Sequence, residues 1–262
     1  MSLPQYEVFA LRYGHLERTR NENFIQHDPH DGPMPMDYFV WIIRDGKRTI
    51  LVDTGYGAQE AAKRKRQLLR CPIDALAAIG IKGEALTDVV LTHLHYDHAG
   101  NLGKVPRATF HVQDAEMAFV TGRYMRHAIL RHGYAVDDVV TLVRGLYDRR
   151  VTFHEGDDEM APGVQLLHIG GHTRGLQAVR VHTKRGWVVL ASDATHYFDN
   201  MNLGKPFPIV FNVGDMMEGF GKLQRAADSA EHIVPGHDPL VLKRYPMALA
   251  EIDLVKLHEM PR

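Results

Sequence analysis

The sequence has a single cysteine, Cys71, among its 262 residues. One thiol cannot form an internal disulfide or build a cysteine-based zinc site, and this usage is typical of a reducing compartment. The net charge is −1, so no overall field attracts nucleic acid or an anionic membrane surface. The chain also lacks an apolar run of membrane-spanning length and a recognisable secretory signal at residues 1–7. We therefore expect a cytoplasmic protein without nucleic-acid or membrane partners.

The composition is that of a globular chain with many turns. Hydrophobic residues make up 45% of the sequence, and glycine and proline contribute 23 and 13 residues. A chain of this size can bury a substantial core. We expect a single domain over residues 1–262.

Three histidines and an aspartate fall within six residues, at His93, His95, Asp97 and His98. The preceding residues 88–92 are apolar and β-branched, which predicts a buried strand that opens into a loop carrying these side chains. Imidazole and carboxylate groups at this density favour divalent ions, with zinc as the first candidate. His93 and His95 alternate along the chain, so in extended backbone they point the same way. Asp97 and His98 follow where the chain turns and need not face the same ion, so we predict two adjacent ions. The alternative is a polar loop whose histidines bond to the backbone.

Further metal-capable residues stand just past later apolar strands. His172 follows residues 166–169, Asp193 ends residues 188–193, and His237 follows residues 233–234. Each alone is typical of an ordinary loop. Because strand ends gather at one edge of a sheet, together with the histidine-rich loop they supply seven ligands, enough for two ions.

Asp53 directly follows a predicted strand over residues 49–52. It is placed to hold a ligand imidazole from behind, to cap the next turn, or to do both.

The remaining pattern predicts alternating hairpins and helices. An Asp-Gly turn joins strands over residues 37–43 and 49–52. A basic run at residues 63–66 is interpreted as a solvated helix face rather than a nucleic-acid contact, given the neutral total charge. Residues 18–36 form an irregular loop, either a pocket wall or plain surface. Helices are predicted over residues 58–69, 123–146 with a break at Gly133, 214–227 and 245–257.

The ordered motifs HxHxDH, GHTxG, a strand-end aspartate and PGH resemble the metallo-β-lactamase superfamily, from Asp53 to His237. This resemblance implies an α/β fold, the αβ/βα sandwich of two mixed β-sheets flanked by helices, with two divalent metal ions at one edge. It assigns one ion to His93, His95 and His172. It assigns the second ion to Asp97, His98 and His237, with Asp193 as the bridge.

Within the superfamily, the chain is most similar to the quorum-quenching N-acyl homoserine lactonases, notably at residues 34–39, 110–113 and 233–238. That similarity implies a small-molecule lactone as substrate, opened by a hydroxide that bridges the metals. A homodimer is implied by analogy with the family only.

The same similarity implies roles for further side chains. Asp97 would carry a proton to the leaving oxygen. His196 stands where that family usually has tyrosine and would donate a hydrogen bond to the substrate carbonyl. Tyr96, Met34 and Met36 are candidates for an apolar wall around the acyl chain, or else they serve only packing.

Other functions stay open at this point. The same metals and fold could hydrolyse another lactone, such as one from pyridoxine catabolism, a thioester or a phosphoester, since substrate choice depends on the loops. A metal-binding protein without turnover is the alternative outside the hydrolases. Metal content and a lactone-opening assay separate these two classes.

Overall fold

Alternating apolar residues build the strands of two central sheets. This computed structural model describes residues 3–26 and 30–262. Three residues of the predicted irregular loop, 27–29, lie outside the described residues. The same holds for residues 1–2. The strands are β1 (Glu7–Leu16), β2 (Met36–Arg44), β3 (Thr49–Val52), β4 (Gln67–Leu68), β5 (Asp88–Val90), β6 (Thr109–Gln113), β7 (Val151–His154), β8 (Asp158–Ala161), β9 (Val164–His168), β10 (Gln177–Thr183), β11 (Gly186–Ser192), β12 (Ile233–Pro235), β13 (Met247–Leu249) and β14 (Leu254–Lys256).

Both sheets are mixed. In the larger sheet the order is β13-β14-β1-β2-β3-β5-β6-β7, with β4 also paired to β1. Its strands β3, β5, β6 and β7 run parallel, whereas β1 to β3 form antiparallel hairpins. The smaller sheet has the order β12-β11-β10-β9-β8, parallel only between β11 and β12. The predicted α/β class with two mixed sheets is confirmed.

The two sheets pack face to face through their apolar side chains. Trp41 and Val52 of the larger sheet belong to the same buried cluster as Val179 and Leu190 of the smaller one. Each of these side chains has no exposed surface. Since side chains alternate across a strand, the opposite faces of both sheets remain to be covered by helices.

Helices cover those outer faces. In α8, Met216, Phe220 and Leu223 recur at helical spacing and pack against the smaller sheet. Leu142 of α6 packs in the cluster on the larger sheet. No helix among the described residues is long and apolar enough to cross a membrane. The α-helices are α1 (Ala58–Arg64), α2 (Pro72–Ala75), α3 (Tyr96–Ala99), α4 (Asp114–Val120), α5 (Ala128–Arg131), α6 (Val136–Tyr147), α7 (Phe198–Asn202), α8 (Val213–Ala226) and α9 (Leu240–Arg244).

Short 3-10 helices connect several of these elements. They are Arg20–Asn23, Leu76–Ile79, Gly83–Ala85, Leu102–Lys104, Arg123–Arg126, Ala230–His232 and Ala250–Ile252.

One predicted helix is wrong throughout and another is wrong at its end. Residues 245–257 form the hairpin β13–β14 instead of a helix, because β14 extends the sheet by pairing with β1 and Asp253 takes a left-handed φ of 53° between the strands. The helix predicted over 58–69 ends at Arg64, since Lys65 is left-handed with φ 54° and the chain then enters β4. The hairpin predicted from residues 37–43 and 49–52, the break at Gly133 and the helix near 214–227 are confirmed.

The topology brings strand ends together at one edge. β3 and β5 run parallel, as do β11 and β12, so each pair presents its carboxyl ends on the same side. Asp53, His93, Asp193 and His237 follow these strands. The sandwich therefore fixes the backbone from which the candidate ligands project.

Candidate metal centre

The seven side chains expected as ligands converge with His196 in one buried cluster. Their ligand atoms form overlapping groups, and within each group the atoms lie within 4.8 Å of one another. The groups are His93, His95, His172 and Asp193; Asp97, His98 and His237; and Asp193, His196 and His237.

Asp193 faces both halves of the cluster, one oxygen to each. Its Oδ2 lies 3.1 Å from His172 Nε2 and 3.8 Å from His93 Nε2. Its Oδ1 lies 3.0 Å from His237 Nε2 and 3.3 Å from His98 Nε2. This is the arrangement that a carboxylate needs to bridge two cations. Burial alone would raise the pKa of Asp193, but the surrounding imidazoles hold it well below its usual value.

Contacts behind the ligands fix the orientation of three imidazoles. His98 Nδ1 lies 2.7 Å from Asp53 Oδ2, and Asp53 also accepts from the Thr92 backbone N–H at 2.8 Å. His172 Nδ1 lies 2.6 Å from the Ile209 carbonyl, and His237 Nδ1 lies 2.9 Å from the Asp37 carbonyl. Each contact assigns the proton to Nδ1 and leaves Nε2 as a ligand atom that points inward.

The donor set fits divalent cations. His93 Nε2 and His98 Nε2 are buried and have no hydrogen-bond partner among the described residues. A buried polar atom of this kind is costly unless something binds it. Imidazole nitrogens and carboxylate oxygens are ligands that zinc and similar ions accept. The chain therefore carries a metal-binding His/Asp cluster.

His196 stands at the wall of this cluster. Its Nε2 lies 3.0 Å from Asp193 Oδ2, and its ring stacks on Phe207 with centroids 3.8 Å apart and planes 9° from parallel. Burial lowers its pKa to about 3 although Asp193 opposes the shift, so the imidazole is neutral. Its Nδ1 is buried without a partner among the described residues. A neutral ring in this place can donate one hydrogen bond.

The candidates for substrate contact are placed differently from one another. Tyr96 and Met36 line the pocket above the cluster together with Asp97. The Tyr96 hydroxyl accepts a hydrogen bond of 3.0 Å from Arg66 Nε. Met34 is not among the described residues that line the pocket, and its sulfur lies 3.8 Å from Arg20 Nη1.

Two residues that support the ligand loops were not identified from the sequence. Glu116 on α4 is fully buried and accepts hydrogen bonds from both ligand loops. The only feature of the sequence that could have indicated this role is a glutamate within an apolar helix. Gly133 was expected as a helix break, but its contact with the site was not: its carbonyl accepts from Tyr96 N–H at 2.8 Å, and a Cβ there would lie 2.5 Å from His95 Nε2.

A family model described as the metallo-beta-lactamase superfamily matches residues 34–257. The chain belongs to this superfamily. An N-acyl homoserine lactonase from a Bacillus species is 34% identical over 139 residues, which cover 52% of this chain and 49% of that protein. The chain thus spans about half the length of the curated lactonases it matches. A probable metallo-hydrolase of Mycobacterium tuberculosis is 25% identical over 233 residues, 78% of this chain and 72% of that protein.

Solved structures share the metallo-beta-lactamase fold across most of the chain. A quorum-quenching N-acyl homoserine lactone lactonase has a TM-score of 0.74 at 23% identity, covering 91% of this chain and 94% of that one. An N-acyl homoserine lactone hydrolase with the product N-hexanoyl-L-homoserine bound at its catalytic metal center has a TM-score of 0.75 at 22% identity, covering 93% and 96%. The predicted superfamily, and the resemblance to its lactonases, are confirmed.

Proposed function

We propose that this chain is a dinuclear metal hydrolase that opens the lactone ring of N-acyl homoserine lactones, and so would quench quorum sensing. The observation that carries the proposal is an apolar cleft of about 240 Å³ that begins at the ligands His95 and His172. Its remaining lining residues are mostly apolar: Phe119, Ile129, Leu130, His132, Pro208, Ile209, Val210 and Phe211.

The shapes of the two neighbouring spaces support this substrate. The pocket over the metal cluster is small, about 40 Å³, and shares His95, His132, His172 and Ile209 with the cleft. A compact lactone ring suits the smaller space, and an acyl chain suits the apolar cleft beside it. Burial of each methylene there would contribute about 0.8 kcal/mol to binding.

The chain's own residues supply the remaining chemistry. When bound, two divalent ions, with zinc as the first candidate, would supply a nucleophile from water at neutral pH and polarise the carbonyl. Asp97 lines the pocket, with Oδ2 3.8 Å from His98 Nε2 and 4.0 Å from His237 Nε2. It is placed to accept the proton of the attacking water and return it to the ring oxygen. The Nε2–H of His196, which lies 3.0 Å from Asp193 Oδ2, would donate a hydrogen bond to the developing oxyanion.

The deciding experiment is lactone hydrolysis by the zinc-loaded protein, followed with a pH indicator. The substrates are butanoyl, hexanoyl and decanoyl homoserine lactones beside plain γ-butyrolactone, a thioester and a phosphodiester. We expect the acylated lactones to be preferred, with kcat/KM rising with chain length, and two metal ions per chain by elemental analysis. Activity confined to the plain lactone, thioester or phosphodiester would overturn the substrate while keeping a metallo-hydrolase.

The acyl cleft is tested separately with Ile129→Asp. A charge at this wall should lower kcat/KM for the decanoyl substrate by roughly ten-fold, since about 1–2 kcal/mol of apolar contact is lost, and should spare the butanoyl substrate. Val136→Asp is the matched control, because Val136 is equally apolar, 73% exposed and outside the cleft lining. An equal loss for both chain lengths would exclude the cleft as the acyl site.

A further inference from the structure

Two arginines line the pocket over the metal cluster. Arg66 and Arg18 both contribute to its wall. The carboxylates among its described lining residues are Asp97 and Asp193, which we assign to the metals. The pocket therefore presents two guanidinium groups that no acidic lining residue is left to neutralise.

Arg66 reaches the pocket because α1 ends early. Lys65 takes a left-handed conformation with φ 54°, and the chain turns from the exposed helix face into β4. The expectation that residues 63–66 form a solvated face is therefore wrong for Arg64 and Arg66, which are half-buried, while Lys63 and Lys65 are exposed.

The guanidinium of Arg66 is held in place from one side. Its Nε donates to the Tyr96 hydroxyl at 3.0 Å and its Nη1 donates to the Arg64 carbonyl at 2.9 Å. Among the described residues, no hydrogen-bond acceptor is found for its Nη2. A fixed guanidinium with a free donor, partly shielded from water, is suited to an anionic ligand.

Arg18 lines the same pocket and lies beyond the same end of the β1–β4 strand pair as Arg66. β4 pairs antiparallel with β1, and His15 lies opposite Gln67, so the residues after His15 and before Gln67 leave the pair at one end. Arg18 Nε donates to Asn23 Oδ1 at 2.7 Å, and its guanidinium carbon lies 5.1 Å from the centre of the Phe207 ring. This second cation is also held by its neighbours.

We propose that Arg66 and Arg18 bind a carboxylate on the substrate, so that the site also opens lactones that carry a free carboxylate beside the ring and prefers them to their neutral carboxamides. This inference rests on the proposed lactone hydrolase and adds a substrate class to it. Water adds its oxygen to the acyl carbon, the acyl–oxygen bond of the ring breaks, and the ring oxygen leaves as a hydroxyl. The product is a hydroxy dicarboxylate, with one proton released.

The test compares two γ-lactones that differ only in charge: 5-oxotetrahydrofuran-2-carboxylate and its carboxamide. Both release one proton on opening, so one indicator assay serves for both. We expect the wild-type protein to favour the carboxylate by about ten-fold or more in kcat/KM, the size of one charge-assisted hydrogen bond, with most of the effect in KM. Raising the ionic strength should reduce the preference.

Arg66→Met and Arg18→Met should each lower kcat/KM for the carboxylate more than for the carboxamide, so that most of the preference is lost. Arg66→Lys should retain part of it, because the charge stays while the fork of donors is lost. Lys63→Met is the matched control: it removes one charge from the same basic run at a side chain that is 64% exposed. Lys63→Met should change kcat/KM for neither substrate.

The outcomes separate this inference from the function on which it rests. If no lactone is opened, the proposed hydrolase fails, and the inference fails with it. If acyl homoserine lactones are opened but the carboxylate and carboxamide react equally, only the carboxylate site is overturned. A preference for a phosphodiester over both would also overturn it. If circular dichroism shows that Arg66→Met folds poorly, the inference is decided by two other measurements. These are the carboxylate-to-carboxamide ratio of kcat/KM in the wild-type protein and the same ratio in Arg18→Met.

Discussion

Glu116 Oε2 accepts a 2.6 Å hydrogen bond from the Thr173 hydroxyl, next to the candidate ligand His172. The same carboxylate accepts from the Leu94 N–H at 3.0 Å and the Gly175 N–H at 3.1 Å. Leu94 lies between the ligands of the first loop. One buried side chain therefore joins the two loops that supply five of the seven expected ligands.

Glu116→Gln tests this connection. Each carboxylate oxygen accepts from one backbone N–H, of Leu94 at Oε1 and of Gly175 at Oε2, so the amide nitrogen of glutamine would face a backbone donor in either orientation. We expect a loss of about 2–4 kcal/mol in the free energy of unfolding and a weaker affinity for zinc. Denaturant unfolding and a competitive chelator titration measure the two effects.

Asp114→Asn is the control for Glu116→Gln, since it removes one negative charge from an exposed position of the same helix, α4. It should leave metal affinity unchanged. Equal metal affinity in the glutamine variant and the wild-type protein would show that Glu116 serves the fold alone.

Gly133→Ala tests the contact above His95. The added Cβ would lie 2.5 Å from the ring, so either the imidazole or the loop must move. We expect zinc affinity to fall by roughly 10–100-fold, as when a ligand loses its supporting contacts. Gly103→Ala is the matched control, because a Cβ there meets nothing within 4 Å. If both variants bind zinc like the wild-type protein, the loop adapts and the close approach has no role.

Asp53→Asn tests the contact behind His98. The asparagine amide keeps the shape but removes the charge that holds the Nδ1 proton, so the ring no longer presents Nε2 as firmly. We expect zinc affinity to drop by about 10–100-fold, and the free energy of unfolding to change less. Asp148→Asn, at an exposed position, should change neither. An unchanged chelator titration for Asp53→Asn would contradict the role.

The convergence of the ligands could be predicted because each follows an apolar strand. A strand that ends in His93, Asp193 or His237 is visible as an apolar run followed by a polar side chain, and the topology places such ends at one edge. The contribution of Arg66 could not be predicted in this way. Its direction depends on the left-handed turn at Lys65, for which lysine gives no local signal.

The C-terminal hairpin was missed for a different reason. Residues 245–257 have the spacing of an amphipathic helix, but β14 gains hydrogen bonds to β1 that only the assembled sheet offers. Long-range pairing of this kind overrides local preference. The cleft that supports the acyl-chain proposal likewise joins residues from α4, α5 and the loop at residues 208–211, which no local pattern brings together.

Asp138 gives a prediction about stability and pH. Burial, with help from Glu60 and Asp137, raises its pKa to about 7, and its Oδ2 has no hydrogen-bond partner among the described residues. The unfolded chain has its aspartates near the usual value of about 3.9. Between these values the folded state binds more protons than the unfolded state, so stability falls as the pH rises and becomes level above the folded-state pKa.

Asp138→Asn removes this dependence, because the amide stays neutral at every pH. We expect the variant to be more stable than the wild-type protein at pH 8 by about 1–2 kcal/mol, an amount reduced for the partial exposure of the side chain, and the difference to shrink towards pH 5. Thermal unfolding at matched pH values measures it. Asp137→Asn, at the exposed neighbouring residue, is the control and should give a smaller difference. A difference that stays constant from pH 5 to pH 8 would show that Asp138 is ionised in the folded state throughout, and that burial alone does not keep its proton bound.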